Sequence, residues 1–395
     1  MKKLMAIAMV VLMILAAGAC GTPAKKSGDA DIKVGIILIG DENEGYTFSH
    51  IEGLKQAAAK LGLSDSQVVM KYNIPEDENC YDTAVDLAEQ GCRIIFANSF
   101  GHESYLIQAA KEYPDVMFCH ATGQSAAREN LDNFSNYFTK IYEARYVSGV
   151  VAGMKLKELM DAGTVADPYI GYVGAHPYAE VVCGYTAYFL GIRSIVPEAH
   201  MDVVYTNSWF DLAAEAEAAN TLISRGCVMI GQHADSTGAP SAVEAANKSG
   251  TAVYCVGYNV DMISVAPTAA LTSPTNVWEY NYTYMIDCIM KGESIVKDVA
   301  NGYVEGGVKI TALGDSCAAG TAAKVEEVIA AIKDGSLQVF DTATWTVGGQ
   351  TLTSYDQSWG FEGTQLIWDG YFHESEVISA PLFDLRIDGI TELTT

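Results

Sequence analysis

The stretch from Lys33 to Gly53 constrains the fold most, because it joins a buried strand to a helix through a short polar loop. The run Val34–Ile39 is apolar and rich in β-branched residues, which suits a strand covered on both faces of a parallel sheet. From Ile51 onward, apolar residues recur at helical spacing. Ligands of open α/β sheets bind beyond the carboxyl ends of the strands. Tyr46, at the junction of loop and helix, is therefore placed either to face a ligand or to cover the start of the helix.

This alternation of strand and helix continues along the chain and then begins again. From residue 32 to about 138, short apolar runs are separated by helical stretches, a pattern typical of a parallel, doubly wound sheet. A long helix opens at Glu143, where Gly149 and Gly153 allow close packing, and a second series follows Gly163. We predict an α/β protein with two doubly wound lobes, a hinge and a central cleft suited to a ligand.

Each lobe is predicted to combine two separate segments of the chain. Residues 32–139 and 270–300 are assigned to lobe 1, and residues 140–269 and 301–313 to lobe 2. Residues 314–395 are expected to form a C-terminal helix and a β-rich extension that packs on the lobes, with a hairpin turn at a Gly-Gly pair.

The N-terminus has the pattern of an export signal. A charged start and an apolar run ending at Leu15 precede small residues and Cys20, which predicts a signal peptide over residues 1–19. The apolar run is too short to span a membrane comfortably. The site resembles a bacterial lipobox, although Ala17 replaces the usual Leu. A lipidated Cys20, with residues 20–31 as a polar tether, would anchor the chain outside the cell membrane. The alternative is ordinary cleavage that leaves Cys20 as a thiol.

The composition argues against several partners. The formal net charge is −25, from 24 basic and 49 acidic residues, so nucleic acid would be repelled. None of the nine cysteines forms a C-x-x-C pair or lies at zinc spacing from a histidine. The cysteines beyond Cys20 are expected to be mostly buried free thiols, although an extracytoplasmic location would permit disulfides. We predict no metal and no cofactor, and we expect a monomer.

Aromatic residues from both lobes are expected at the cleft. Trp209 follows a strand of lobe 2, just before Asp211, which is expected to cap the next helix. Trp209 would then protrude opposite Tyr46. Two such rings can clamp a planar heterocycle, since stacking on a nucleobase is worth roughly 1–3 kcal/mol per ring. The alternative is that Trp209 packs under its own helix.

Polar residues near the strand ends are candidates for binding the edge of such a ring. His233 and Asp235 follow a buried strand and together offer the donors and acceptors that a purine edge requires. Asp235 could instead cap the following helix. Glu143 would either stabilise the dipole of the long helix or accept a hydrogen bond from the ligand. Asp261, near the expected hinge, would contact the ligand or turn the chain.

Sequence motifs for catalysis are missing. The chain contains no dinucleotide-binding fingerprint, no phosphate-binding P-loop and no G-x-S-x-G nucleophile elbow. We therefore predict no catalytic residues and a binding function rather than an enzyme.

Seven blocks, in order, resemble the basic membrane protein family of bacterial lipoproteins, which are substrate-binding components of ABC importers for purine nucleosides or bases. The blocks are Gly45–His50 (GYTFSH), Ile94–His102 (IIFANSFGH), Tyr113–Gly123 (YPDVMFCHATG), Tyr142–Gly153 (YEARYVSGVVAG), Asn207–Asp211 (NSWFD), Gly231–Ser236 (GQHADS) and Gly257–Met262 (GYNVDM). The resemblance runs from Lys33 to about Leu313. It implies a type I periplasmic-binding-protein fold, a purine ligand and an ABC permease in the membrane as partner.

The blocks also hold the residues expected to bind the ligand. These are Tyr46, Thr47, Ser99, Phe100, Glu143, Trp209, Phe210, His233, Asp235 and Asp261. One departure from the family pattern matters. Nucleoside binders of the family hold the ribose with an Asp and a Lys near the second crossover, at positions that correspond here to Asn259 and Asn276. This favours a free base such as adenine. A nucleoside, another small polar ligand such as a sugar, and a signalling or adhesion role without transport are the alternatives.

Overall fold

The computed structural model describes residues 32–356, 361 and 363–393, so the predicted signal peptide, Cys20 and the tether lie outside the described residues. The strands, in chain order, are β1 (Lys33–Ile37), β2 (Val68–Lys71), β3 (Cys92–Ala97), β4 (Met117–Ala121), β5 (Phe134–Thr139), β6 (Tyr169–Gly174), β7 (His200–Tyr205), β8 (Met229–Gln232), β9 (Tyr254–Val256), β10 (Ala270–Thr272), β11 (Pro274–Asn276), β12 (Asp298–Asn301), β13 (Val308–Ile310), β14 (Ile367–Trp368), β15 (Tyr371–Phe372) and β16 (Ile390–Glu392). The helices are α1 (Gly45–Leu61), α2 (Glu78–Glu89), α3 (Glu103–Glu112), α4 (Ala126–Glu129), α5 (Ile141–Asp161), α6 (Ala179–Arg193), α7 (Leu212–Ser224), α8 (Gly238–Lys248), α9 (Glu279–Lys291) and α10 (Thr321–Lys333).

Two parallel sheets form the cores of two lobes. The sheet of lobe 1 has the order β12-β5-β4-β3-β1-β2, and that of lobe 2 has the order β10-β9-β8-β6-β7-β16. All pairings within both sheets are parallel. The middle strands are buried on both faces, which explains their nearly continuous apolar sequences. The predicted α/β class and the type I periplasmic-binding-protein architecture are confirmed.

Helices α5 and α6 pack closely, as the small residues of α5 predict. A side chain at Gly149 would place its Cβ 2.1 Å from the carbonyl oxygen of Tyr188, and one at Gly191 would meet the carbonyl of Tyr146 at 2.1 Å. Neither position has room for a methyl group. This contact holds α5, which leads out of lobe 1, firmly against lobe 2.

The predicted boundary between the lobes differs at the return crossover. β10 was expected to begin the return to lobe 1, but it pairs with β9 in the sheet of lobe 2. Asn301, assigned to lobe 2, instead ends β12 in the sheet of lobe 1. The crossover follows Thr272 and includes β11, which pairs antiparallel with β13. A three-residue apolar run carries no signal of which sheet it joins.

The C-terminal extension, defined here as residues 340–393, reaches both lobes. Its β16 pairs with β7 and becomes the edge strand of the lobe 2 sheet. On lobe 1, the backbone N–H and the hydroxyl of Ser379 donate to the Asp298 carboxylate, both at 2.9 Å. The predicted turn lies at Gly348 and Gly349, which have φ of +57° and +76°. The turn is present, but only an isolated bridge flanks it instead of strands.

The cysteines are placed as predicted. All eight in the described part of the chain are free, and all but the half-buried Cys317 are buried. Across the described residues, the helices are too short or too polar to cross a bilayer.

Candidate functional site

A small cavity lies between the lobes, at the carboxyl ends of both sheets. We call it the inner cavity. It is lined by Ile39, Glu44, Tyr46, Asn98, Ser99, Phe100 and Thr122 of lobe 1 and by Glu180, Trp209, His233, Asp235 and Tyr258 of lobe 2. The centre of a water-sized sphere can move through only about 20 Å³ of it, which is space for roughly one water molecule. A heterocyclic ligand therefore requires the lobes or side chains to separate before it can enter.

The lobes touch across the cleft on both sides of this cavity. The backbone N–H of Gly45 donates to the carbonyl of Asp235 at 3.2 Å. The ring of Phe100, from lobe 1, stacks on that of Tyr178, from lobe 2, with centroids 5.3 Å apart. These contacts define a closed arrangement of the lobes.

Tyr46 is fixed in the lobe 1 wall, in the first turn of α1. It is 8% exposed, and its hydroxyl donates to the carbonyl of Asn98 at 2.7 Å. Its ring meets the rings of His50 and Trp278 edge-on. Asn98 in turn accepts a 2.9 Å hydrogen bond from the N–H of Ile39. This network fixes the ring before a ligand arrives, which lowers the entropic cost of binding.

Trp209 lies in the lobe 2 wall and is half-buried. Its carbonyl accepts a 2.9 Å hydrogen bond from the N–H of Asp235, and its ring meets His176 edge-on, with centroids 4.8 Å apart. Asp211 caps α7 through the N–H groups of Ala213 and Ala214, as predicted. The cap fixes the direction in which the chain leaves the loop, so that Trp209 faces the inner cavity together with Tyr46.

Three carboxyl groups, those of Glu44, Glu180 and Asp235, line the inner cavity. Burial raises the pKa of Asp235 well above its usual range, and the charges of Glu44, Glu215 and Glu180 add to this. Burial likewise raises the pKa of Glu44, and that of Glu180 to about 7. A protonated carboxyl group offers one donor and one acceptor side by side. The cavity can therefore match a ring edge that also presents a donor beside an acceptor.

His233 and Arg145 are both buried in lobe 2. His233 Nε2 lies 3.3 Å from the carboxylate of Glu180, and burial, followed by the charge of Arg145, lowers its pKa well below the ordinary value. His233 is therefore neutral at physiological pH. The guanidinium of Arg145 stacks on the ring of Tyr258, 3.8 Å from its centroid, and donates to the carbonyl of Gln232 at 2.8 Å. Arg145 thus supports the wall and does not line it.

The two asparagines at the crossover form a chain of hydrogen bonds to the inner cavity. Asn276 donates to Asn259 at 2.7 Å, and Asn259 donates to the Asp235 carboxylate at 3.2 Å. Thr139, at the end of β5, donates to Asn276. The threonine and asparagine side chains carry no charge, so this series of hydrogen bonds links the hinge to the cavity without an ion pair.

The structure brings most, but not all, of the predicted site residues together. Tyr46, Ser99, Phe100, Trp209, His233 and Asp235 line the inner cavity. The other four predicted residues, Thr47, Glu143, Phe210 and Asp261, do not.

Local contacts explain these four differences. Thr47 is fully buried and donates to Glu44. Glu143 accepts the N–H of Tyr303 at 2.7 Å, at the hinge. Phe210 is 42% exposed. Asp261 is exposed and accepts the N–H of Ile263, which makes it a turn residue.

Thr122 is the most unusual lining residue outside the ten predicted ligand contacts. It has φ of +68°, a conformation that is rare and strained for a β-branched side chain. Its hydroxyl is buried and has no hydrogen-bond partner among the described residues. Buried polar groups are almost always paired, and maintained strain clusters at ligand sites. Thr122 therefore offers a prepositioned hydroxyl to a ligand.

The family described as ABC transporter substrate-binding protein, PnrA-like (Bmp), matches residues 36–339. The chain belongs to this family. Substrate-binding proteins of ABC transporters bind small ligands outside the cytoplasm and work with a membrane permease, so binding and not catalysis is the family's role.

Two relatives carry names that state a ligand. A purine-binding protein of Brucella abortus is 33% identical over 330 residues, which cover 81% of this chain and 88% of the relative. A putative ABC transporter glucose-binding protein of Haloferax volcanii is 38% identical over 215 residues, covering 54% of this chain and 50% of that protein.

Solved structures support the fold of this Bmp protein. An ABC solute-binding protein from Aeropyrum pernix superposes with a TM-score of 0.67 at 18% identity, covering 78% of this chain and 93% of that chain. A second, from Conexibacter woesei, has a TM-score of 0.62 at 20% identity, with 78% and 98% covered.

Proposed function

We propose that this Bmp protein captures a purine in the inner cavity and delivers it to an ABC permease. The observation that carries the proposal is that Tyr46 and Trp209, one ring from each lobe, line the same closed cavity. A purine inserted between them would stack on both rings. Its edge would face Asp235, Glu180 and His233, whose donors and acceptors suit a heterocycle with both kinds of group. The name of the Brucella abortus relative supports this ligand class.

A free base such as adenine is the favoured purine. The positions at which nucleoside binders of the family carry an Asp and a Lys are the uncharged Asn259 and Asn276, and these two side chains bond to each other at 2.7 Å. They offer no ion pair to hold the hydroxyls of a ribose.

Anchoring through a lipidated Cys20 is the second part of the proposal. Cys20 follows small residues at the end of the predicted signal peptide, outside the described residues. Metabolic labelling with a fatty-acid analogue should label the wild type and leave Cys20→Ala unlabelled. Equal labelling of both would exclude this anchor.

The ligand proposal is tested by calorimetric titration of the protein with adenine. Trp209→Ala should weaken binding about tenfold to a hundredfold, because stacking on a nucleobase is worth roughly 1–3 kcal/mol. Phe210→Ala is the matched control, since this neighbouring ring lies outside the inner cavity and its removal should leave affinity unchanged. Wild-type affinity in Trp209→Ala would show that the ring of Trp209 does not stack on the ligand.

Glucose is the second candidate ligand, because the Haloferax volcanii relative is named as a putative glucose-binding protein. Titrating glucose and adenine in parallel separates the two. Heat of binding with glucose alone would replace the purine proposal with a sugar.

A further inference from the structure

A larger space adjoins the inner cavity on the side of the C-terminal extension. We call it the outer chamber. Measured in the same way as the inner cavity, its volume is about 330 Å³ against about 20 Å³. Phe100, Thr122 and Glu180 line both spaces. These three residues lie between the two spaces, so a group attached to a ring in the inner cavity would pass them to enter the outer chamber.

The extension supplies the third wall of this chamber. Lobe 1 contributes Gln124 and lobe 2 contributes Tyr178, while Pro381 and its neighbours come from the extension. The family match ends at residue 339, so this wall lies beyond the matched region. The segment is held in place on one side by Ser379, which bonds to Asp298 of lobe 1, and on the other by β16 in the lobe 2 sheet.

The lining of the chamber is mainly apolar. It includes the stacked rings of Phe100 and Tyr178, together with Pro177, Ala179, Ala380 and Pro381. Its main charged groups already bond to the protein, which reduces their capacity to bind a polar ligand.

These bonds occupy groups on both protein walls. The carboxylate of Asp384 accepts from the Tyr355 hydroxyl at 2.6 Å. The guanidinium of Arg386 donates to the carboxylate of Glu392 at 3.0 Å and to the carbonyl of Asp384 at 2.7 Å. Glu180 lies next to His233. What the chamber chiefly offers a ligand is apolar and aromatic surface.

We propose that the outer chamber is a subsite, walled by the extension, for an apolar substituent on the bound ring. The proposal rests on the proposed purine function. A benzyl group that becomes buried there should tighten binding about tenfold or more, as expected for removing an aromatic group of this size from water. The extension would thereby broaden the ligands of this chain beyond an unsubstituted base.

The test compares adenine with two of its benzyl derivatives, the isomers N6-benzyladenine and 9-benzyladenine. The two isomers direct the benzyl group along different edges of the ring. At least one isomer should bind about tenfold more tightly than adenine. Methyl and propyl analogues of that isomer should give intermediate affinities. If adenine binds and neither isomer is tighter, the subsite is wrong while the purine function stands. Adenosine binding more tightly than both isomers would assign the chamber to a polar sugar and also overturn the proposal. If adenine itself does not bind, both proposals fail.

Filling the chamber provides an independent check. Gln124→Trp should abolish the gain from the benzyl group and leave adenine affinity within about twofold, whereas Gln124→Ala should keep the gain. Gln56→Trp is the matched control, because exposed Gln56 lines a different cavity on α1. Thermal melts establish that each variant is folded. A benzyl gain that survives in folded Gln124→Trp would place the substituent elsewhere.

Discussion

Two glutamates, the partly exposed Glu180 at the inner cavity and the buried Glu374 in the extension, have similarly raised pKa values but different hydrogen-bond partners. Burial raises the pKa of each to about 7. The carboxylate of Glu374 accepts the N–H groups of Ser375, Leu382 and Phe383 at 2.7–3.1 Å. Glu180 has a single neighbour of this kind, His233 at 3.3 Å.

This difference in hydrogen-bond partners distinguishes an acid that stabilises the fold from one that is available to a ligand. Glu374 organises the loop that places Pro381 and its neighbours, and its acceptor sites are occupied by backbone. The pKa of Glu180 is also raised by burial, but this side chain keeps capacity for another partner, at a surface that two cavities share. A raised pKa alone would not distinguish them, whereas the number of satisfied hydrogen-bond sites does.

The largest expected effect comes from Glu374→Ala. Removing the side chain takes away the acceptors of the N–H groups of Ser375 and Phe383 and leaves a cavity behind this loop. Each buried donor left unpaired costs about 1–3 kcal/mol, and we expect the free energy of unfolding at pH 7 to fall by roughly 3 kcal/mol. Denaturant titration measures it. An unchanged midpoint and slope would show that the carboxylate does not hold this loop.

Glu180→Gln should instead stabilise the protein at neutral pH. The folded-state pKa of Glu180 is raised from 4.5 to about 7, so its contribution to stability is fully present below about pH 4.5 and is lost as pH rises through 7. Gln cannot ionise. The free energy of unfolding of Glu180→Gln, relative to wild type, should therefore rise between pH 4.5 and 7 by roughly 2–3 kcal/mol and then level off.

Denaturant titrations at several pH values, without ligand, measure this difference, and Glu217→Gln, at an exposed position on α7, is the matched control. A difference between Glu180→Gln and wild type that stays flat from pH 4.5 to 8 would mean that Glu180 is ionised in the folded protein throughout. The cavity would then present an acceptor only, which suits a ligand edge with donors alone.

Much of the fold could be predicted from the sequence because buried parallel strands have continuous apolar sequences and the helices between them have clear periodicity. Errors occur where a strand-like sequence continues beyond the point at which the chain leaves the sheet. The run Val68–Ile74 predicts a seven-residue strand, but β2 ends at Lys71, and Asn73 takes φ of +55° as the chain turns away. β16 was missed since a three-residue strand that pairs with distant β7 has no local signal.

The candidate site shows a sharper limit. Glu143 and Glu180 occupy the same local position, in the first turn of a helix that follows a strand end. From the sequence, Glu143 is a ligand candidate, whereas Glu180 is assigned no role. In the structure, the Glu143 carboxylate accepts a hydrogen bond from the N–H of Tyr303, whereas Glu180 lines the inner cavity. Only the rotation of each helix about its axis distinguishes them, and tertiary packing sets that rotation.

The smallest expected effect comes from substitutions of Thr122, which test the backbone conformation beside the two cavities. Its φ of +68° costs a residue with a Cβ about 1 kcal/mol relative to glycine. Thr122→Gly should therefore be about 1 kcal/mol more stable than Thr122→Ala, measured by denaturant titration.

Adenine affinity separates this backbone effect from the role of the hydroxyl. Thr122→Gly and Thr122→Ala should bind adenine equally weakly, about threefold to tenfold below wild type, because both lack the unpartnered hydroxyl at the cavity. Thr122→Ser keeps the hydroxyl and should retain wild-type affinity. If all three variants bind as the wild type does, the hydroxyl has no part in recognition. The strain at Thr122 would then serve only to place the chain between the inner cavity and the outer chamber.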